Sequence, residues 1–390
     1  MNVEELDEDA RVRALDDLGV LDTGPEERFD RVTRLAKRLF DVEAAAVTLI
    51  DREDHHVKAC AGLPLLGMPR AEAFCDTTIR QPDVLVIEDA SQDERFAHTP
   101  PVAAAGMRFY AGVPLAASGG HRVGALCLLD RRPRRFDDRE RDMLAELARW
   151  TENELTRSTE LRHAAEVQRG LLPRRRPQLP GYDLAWMCVP SRGVGGDFVD
   201  WYRTSAGGLA FTLGDVMGKG MAAALVMAIV RTAMRASGQS HPPREAVREA
   251  ARSLQDDLDE TATLVTLCHA ELRPEDGAVS FVDAGHGLIL VARADGSHRR
   301  LLGGGLPLGV VPDTEWDQQA VTLGPGDTLV IVSDGLLDLY DGAVDEVLEV
   351  VATAVRGAAD LGDALRGLVS RTGQDELVDD VTLVAVRRVG

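Results

Sequence analysis

Apolar residues recur along this chain at two periods, and the changes of period mark its elements. ERFDRVTRLAKRLF puts Phe29, Val32, Leu35, Ala36, Leu39 and Phe40 at helical spacing, and AAAVTLID after it reads as a buried strand closed by a polar turn. VLVIEDA, at 84 to 90, predicts another strand, and FYAGVPLAASGGHRVGALCLLD predicts two strands around a Ser-Gly-Gly turn. DDRERDMLAELARW opens acidic, as a helix N-terminus favours, and carries Met143, Leu144, Leu147 and Ala148 on one face. This helix is predicted to run on to Pro173, a breaker. Leu144, Leu147, Leu161, Ala165 and Leu172 fit a coiled-coil seam, which Thr151, Glu154 and Ser158 interrupt.

LPRRRPQLPG, at 172 to 181, cannot continue a helix and reads as a linker whose arginines are solvated. Strand patterns then dominate: LAFTLGDV, TLVTLCHAEL, AVSFVDAG, LILVARADG, DTLVIVSDG and VTLVAVRR, with helices expected at 220 to 236 and 343 to 370. The expected class is α+β, with an N-terminal domain over 11–155 and a helical connector over 140–172 that overlaps its exit helix. A Pro/Arg linker over 173–181 and a strand-rich domain over 182–390 complete the chain.

Composition narrows the partners. At 390 residues the chain is long enough for two or three domains, and a net charge of -20 repels nucleic-acid backbones and anionic membranes while favouring metal cations. Five dispersed cysteines without a C-x-x-C pair indicate neither a zinc knuckle nor a disulfide framework, and a reducing cytoplasm suits them. The acidic start, MNVEELDEDARVRAL, is unlike a signal peptide, and no apolar run suggests a membrane helix.

The candidate chemistry lies in aspartates at the ends of apolar strands or in Gly-rich turns: Asp197 in VGGDFVDW, Asp215 in LGDVMGKG, Asp334 in VIVSDGLLD, and Asp379 with Asp380 in DDVTLVAV. One such Asp is ordinarily a turn residue bonded to nearby amides. Several on rigid strand ends suit hard divalent cations, which take oxygen ligands. Gly195, Gly196, Gly214, Gly218, Gly220 and Gly335 turn the chain beside them and leave space for waters or a phosphate. GDVMGKG is not a P-loop, because three residues separate Gly214 from Gly218 and Gly220 replaces the Ser or Thr that reaches Mg²⁺. GGDF at 195–198 lacks the further acidic residue of diguanylate cyclases, and Ser333 lacks a nucleophile elbow.

VGGDFVDWY, GDVMGKGMAAALVMA, TATLVTL, FVDAGHG, GLPLGV, LVIVSDGLLD and DDVTLVAV, in this order, resemble the metal-dependent protein phosphatases of the PPM class, and most of all its bacterial SpoIIE-type branch. The resemblance covers roughly 165 to 388 and implies a β-sandwich flanked by helices that holds two Mn²⁺ or Mg²⁺ ions. It implies Asp197 and Asp215 between the metals, the Val216 carbonyl on one of them, and Asp334 and Asp379 completing the site, with Asp380 the second of a pair whose first member is the usual ligand. The implied activity is hydrolysis of phosphoserine or phosphothreonine on a protein, an anti-sigma-factor antagonist in this branch, by in-line attack of water without a covalent enzyme intermediate. Met217 stands where related eukaryotic enzymes have a candidate general-acid His. Lys219 reads either as a phosphate contact or as a solvent-facing lysine, and His286 as a turn residue. The Ala- and Met-rich helix after Gly220 reads as a core helix and as a switch that completes the site.

RVRALDDLGVLDTGPEERFDRVTRLAKRLF, AFCDTTI, VIEDASQDERF and MRFYAGVPLAASGGHRVGALCLLD resemble a GAF domain, a sensor of small molecules or proteins, without the Asn-Lys-Phe triplet of cyclic-nucleotide binders. Its ligand is not legible. Cys75 reads as a small buried hydrophobe, and His55 and His56 as surface residues near a turn. The expected whole is a cytoplasmic, homodimeric, GAF-regulated phosphatase. The alternatives are a silent phosphoprotein-binding scaffold and a nucleotide cyclase.

Overall fold

The structure, a computed structural model, describes residues 7–21, 23–117, 119–340, 342–370 and 377–389, and not the side chains of 157–160. Ser118 of the expected hairpin turn and the Ser158 side chain therefore lie outside the described residues. The chain divides into two compact units, Met1–Glu160 and Leu161–Gly390.

The first unit begins with α1 (Glu8–Leu18) and α2 (Glu27–Phe40) and continues with β1 (Ala44–Ile50), β2 (Asp54–Gly62), β3 (Met68–Pro69), α3 (Phe74–Ile79) and β4 (Leu85–Ile87). After α4 (Pro100–Ala103) come β5 (Phe109–Ala116), β6 (Arg122–Asp130) and the long α5 (Asp138–Leu171), whose residues from Leu161 on belong to the second unit. Its strands form one sheet in the order β3-β2-β1-β6-β5-β4, all neighbours antiparallel. The buried face of α2 is Phe29, Val32, Thr33, Ala36 and Phe40, whereas Leu35 and Leu39 are 41% and 48% exposed. Six apolar residues were expected on this face, but at 100° per residue Leu35 and Leu39 fall outside the stripe that the others define.

The second unit contains β7 (Tyr182–Val189), β8 (Phe198–Arg203), β9 (Leu209–Val216), α6 (Met221–Gly238), α7 (Pro243–Thr261), β10 (Val265–Arg273) and β11 (Ala278–Ala284). There follow β12 (Ile289–Ala292), β13 (His298–Leu301), β14 (Gln318–Thr322), β15 (Thr328–Val332), α8 (Gly335–Asp338), α9 (Val344–Arg356), α10 (Leu361–Ser370) and β16 (Val381–Arg388). Two five-stranded antiparallel sheets, β14-β11-β10-β9-β8 and β13-β12-β15-β16-β7, face each other across a core that includes Trp201, Phe211, Leu213, Phe281, Ile331 and Val384. On the outer face of the first sheet, α6 and α7 bury Met227, Val230, Val247 and Leu254 against Phe198, Val216 and Val265. On the other side, α9 and α10 bury Val351, Val355 and Leu365 against Val330, Val332 and Leu383. The unit is thus a β-sandwich between two helical layers, within an α+β chain.

Two helical expectations need correction. Helix α7 was not foreseen, because PREAVREAARSLQDDLDET offers mostly alanines as its apolar face; the stripe Ala246, Val247, Ala250, Leu254 and Leu258 emerges only when it packs. The single helix expected over 343–370 is two, α9 ending beside Gly357 and α10 starting at Leu361. Helix α6 is, among the described residues, the one helix long and apolar enough by composition to cross a membrane, but its inner face, Ala223, Met227, Val230 and Met234, lies in a core. A half-buried ion pair between Asp200 on β8 and Arg235 on α6, at 2.7 Å, ties it to the sheet.

Candidate metal centre

Strand periodicity decides where the aspartates point. On β9, Leu209, Phe211 and Leu213 enter the core between the sheets, and Asp215 shares their parity one step past it. On β8, Val199 and Trp201 enter the same core, and Asp197 shares their parity. The last registered pair of the two strands is Phe198 opposite Gly214, so Asp197 and Asp215 stand across from one another one residue beyond it. Gly214 is required there, since a Cβ would lie 2.4 Å from the Phe198 ring. Asp334 leaves β15 at the start of α8, and Asp379 precedes β16, the neighbour of β15.

The carboxyl groups respond to one another. Burial, and then the Asp215 charge, push Asp197 well above the ordinary carboxylate range, and its Oδ2 has no hydrogen-bond partner although the residue is 3% exposed. Asp215 is pushed up to about 6 by burial and by the Asp334 charge, with Asp197 opposing the rise. Asp334 is raised by burial and by Asp379. Such mutual elevation is the mark of like charges that lack a counter-ion. Among the described residues no group of three His, Cys, Asp or Glu side chains encloses a single ion. The pairs fit a hydrated cation better than a cage, for Mg²⁺ keeps several waters and takes only one or two carboxylates. The orphaned Asp197 oxygen and the all-oxygen donors therefore fit hard divalent cations. The Val216 carbonyl adjoins them, since a Cβ on Gly196 would lie 2.5 Å from it.

Linkage gives this cluster a sign. Between about pH 4, where an unfolded Asp deprotonates, and about pH 6, where folded Asp215 does, the folded state holds more protons, so rising pH favours unfolding. Thermal melts in chelator are expected to show stability falling over this interval, with Mn²⁺ reversing the fall at neutral pH.

Sequence reading missed the groups that hold the ligand loops. Asp380, 4% exposed, accepts from the Ser191 amide at 2.7 Å and hydroxyl at 3.0 Å through Oδ1, and from the Gly196 amide at 2.8 Å through Oδ2. Both of its oxygens are engaged, so it acts as a brace. A Cβ on Gly195 would stand 2.1 Å from Asp380 Oδ2. Gln168, near the end of α5, donates to the Gly195 carbonyl at 2.6 Å and accepts from its amide at 3.1 Å. The seam residues Leu161 and Ala165, expected to face a second helix, pack with Val194 and Ala224 of this unit. Gln168→Ala strands both Gly195 groups and is expected to cost about 1–3 kcal/mol in urea unfolding, with weaker Mn²⁺ binding.

Lys219 is exposed, as one of its two readings expected, and its Nζ reaches Asp379 Oδ2 and the Val378 carbonyl, each at 2.7 Å. Met217 is 52% exposed and cannot supply a proton. His286 lies in a turn whose amides, His286 and Gly287, donate to Asp283 at 2.7 and 3.0 Å. Burial lowers its pKa to about 4, leaving it neutral.

Comparison with known proteins follows the same division. Residues 205–389 match the family "Stage II sporulation protein E (SpoIIE)", and residues 24–155 match the GAF domain family. This chain carries a GAF domain followed by a SpoIIE-type PPM domain. The GAF match takes in the whole sheet of the first unit, and the SpoIIE match takes in the sandwich of the second apart from β7 and β8. Phosphoserine phosphatase RsbU of Bacillus subtilis is 26% identical over 242 residues, 59% of this chain and 70% of that protein. A cyclic di-GMP phosphodiesterase of Pseudomonas aeruginosa is 35% identical over 145 residues, and the chain spans only 25% of its length. The solved RsbU and RsbW domains of Rv1364c from Mycobacterium tuberculosis are similar with a TM-score of 0.47 and 27% identity, over 55% of this chain and 61% of that one.

Proposed function

We propose that the SpoIIE-type domain is a metal-dependent protein phosphatase acting on phosphoserine or phosphothreonine, and that the GAF domain regulates it. The observation that carries this reading is the strand-end carboxylate set, whose raised pKa values and unpartnered Asp197 oxygen call for cations. Asp197, Asp215, the Val216 carbonyl, Asp334 and Asp379 would hold two Mn²⁺ or Mg²⁺ ions. These supply Lewis acidity, lowering the pKa of an attacking water and neutralising phosphoryl charge. Asp380 and Gln168 keep the Gly195–Gly196 turn, and with it Asp197, in place. No titratable side chain stands at Met217, which is exposed, so this position supplies no proton to the leaving serine oxygen.

The similarity to RsbU supports a regulatory phosphoprotein as substrate, and within the SpoIIE-type branch we assign an anti-sigma-factor antagonist. Free thiols at all five cysteines accord with a cytoplasmic setting. The test is Mn²⁺-dependent phosphate release from a phosphoserine protein, beside incubation with GTP or ATP. Release that requires metal supports the reading; a cyclised nucleotide, or metal-dependent binding of phosphoprotein without release, overturns it.

A further inference from the structure

The first unit contains a cavity of about 320 Å³ whose walls are mainly apolar, including Leu65, Met68, Phe74, Met107 and Leu129. Its polar lining is an unusual group: Cys75, Cys127, His55, Thr48 and Tyr110. Cys75 lies on α3 and Cys127 on β6, and both line this cavity, Cys127 Sγ donating to the Ala46 carbonyl at 3.5 Å. Thr48 Oγ1 is 3.2 Å and Tyr110 OH 3.5 Å from Cys75 Sγ. The phenol reaches this point because Gly112 leaves room, a Cβ there falling 2.1 Å from the hydroxyl.

His55 corrects an expectation. Read as a surface residue beside a turn, it is on β2 and 5% exposed, because strand alternation turns it inward. Its Nδ1 is buried and has no hydrogen-bond partner.

We propose that Cys75 and Cys127 form an oxidisable thiol pair, which an organic hydroperoxide entering the apolar cavity converts to a disulfide. The Cys75 thiolate attacks the terminal peroxide oxygen, forming an S–O bond and breaking the O–O bond. The departing alkoxide takes a proton from the His55 imidazolium and leaves as an alcohol. The Cys127 sulfur then displaces water from the sulfenic acid, forming the S–S bond. Two thiols lose two electrons in total, and the peroxide gains them.

The surroundings suit Cys75 to attack and Cys127 to follow. Burial, and then the Asp283 charge, raise the Cys268 thiol. At Cys75 the neighbouring Cys127 thiol, with His55 and Thr48, outweighs burial and holds the thiol well below its ordinary value. The Cys75 sulfur, together with burial, raises Cys127 well above it. The dry walls favour a hydroperoxide with a hydrocarbon body over hydrogen peroxide, which gains nothing from apolar contact.

The test uses the full chain and reads covalent chemistry, so its outcome is independent of phosphatase activity. Stoichiometric cumene hydroperoxide is expected to yield a Cys75–Cys127 disulfide in the peptide map, with Cys75 consumed roughly tenfold or more faster than Cys268. Hydrogen peroxide at equal concentration should be slower, and Cys127→Ser should trap a dimedone-reactive sulfenic acid on Cys75. Should that variant fail to fold, the wild-type map decides. Both thiols remaining alkylatable, a disulfide joining other cysteines, or equal rates with the two peroxides would overturn the proposal.

Discussion

Asp215→Asn is expected to abolish phosphate release and, in the same protein, to raise the melting temperature of the metal-free form. The first effect follows from the proposed position of Asp215 between two cations: an amide loses the charge that holds both, and a loss of roughly 10³-fold or more is the scale for such a group. The second follows from the electrostatics of the carboxylate cluster. Asp215 is pushed up to about 6 by burial and Asp334, so at neutral pH the folded chain bears a carboxylate that the fold resists. Neutralising it is expected to add about 1–3 kcal/mol of stability in chelator. Single-turnover phosphate release and melts with and without Mn²⁺ measure both. If Asp215 were only a turn residue, the variant would lose stability instead.

Asp380→Ala is expected to move the melting temperature the other way. Here the carboxylate is satisfied: it accepts from the Ser191 amide and hydroxyl and from the Gly196 amide, at 2.7, 3.0 and 2.8 Å. Truncation leaves buried donors without acceptors, which costs about 3 kcal/mol or more. In a unit of this size that is a fall of about 6–12 °C in Tm. Metal affinity should fall with it, because the turn that Asp380 holds carries Asp197. A melt in chelator therefore separates brace from ligand, since the neighbouring carboxylates Asp215 and Asp380 give opposite signs when neutralised or removed.

The contrast between these residues shows which information a sequence holds. Aspartates at the ends of apolar strands are visible in one dimension, because alternation along runs such as LAFTLGD fixes the face on which each lands. Asp380 differs from Asp379 only through partners at sequence separations of 184 and 189 residues, which no local pattern encodes. Gln168 was equally invisible, a polar residue in a polar helix until Gly195, 27 residues away, folds beside it. His55 was misread for a related reason. DREDHHVK looks like a turn by composition, yet the turn ends before β2 begins at Asp54, and from there parity governs. In α7 the signal was weak, since alanine buries little area and marks a packed face poorly.

With Asp379 as a ligand, as proposed, Lys219 would give metal uptake a particular form. Its ammonium group is in contact with Asp379 Oδ2 at 2.7 Å. Loading at Asp379 would then be an exchange, its apparent affinity the difference between two contacts with the same carboxylate. The displaced side chain would stay positive, at a rim that also carries exposed Arg192. Filling the centre would thus also free a positive group for an incoming phosphate, and the anion would be held best after the cations have entered.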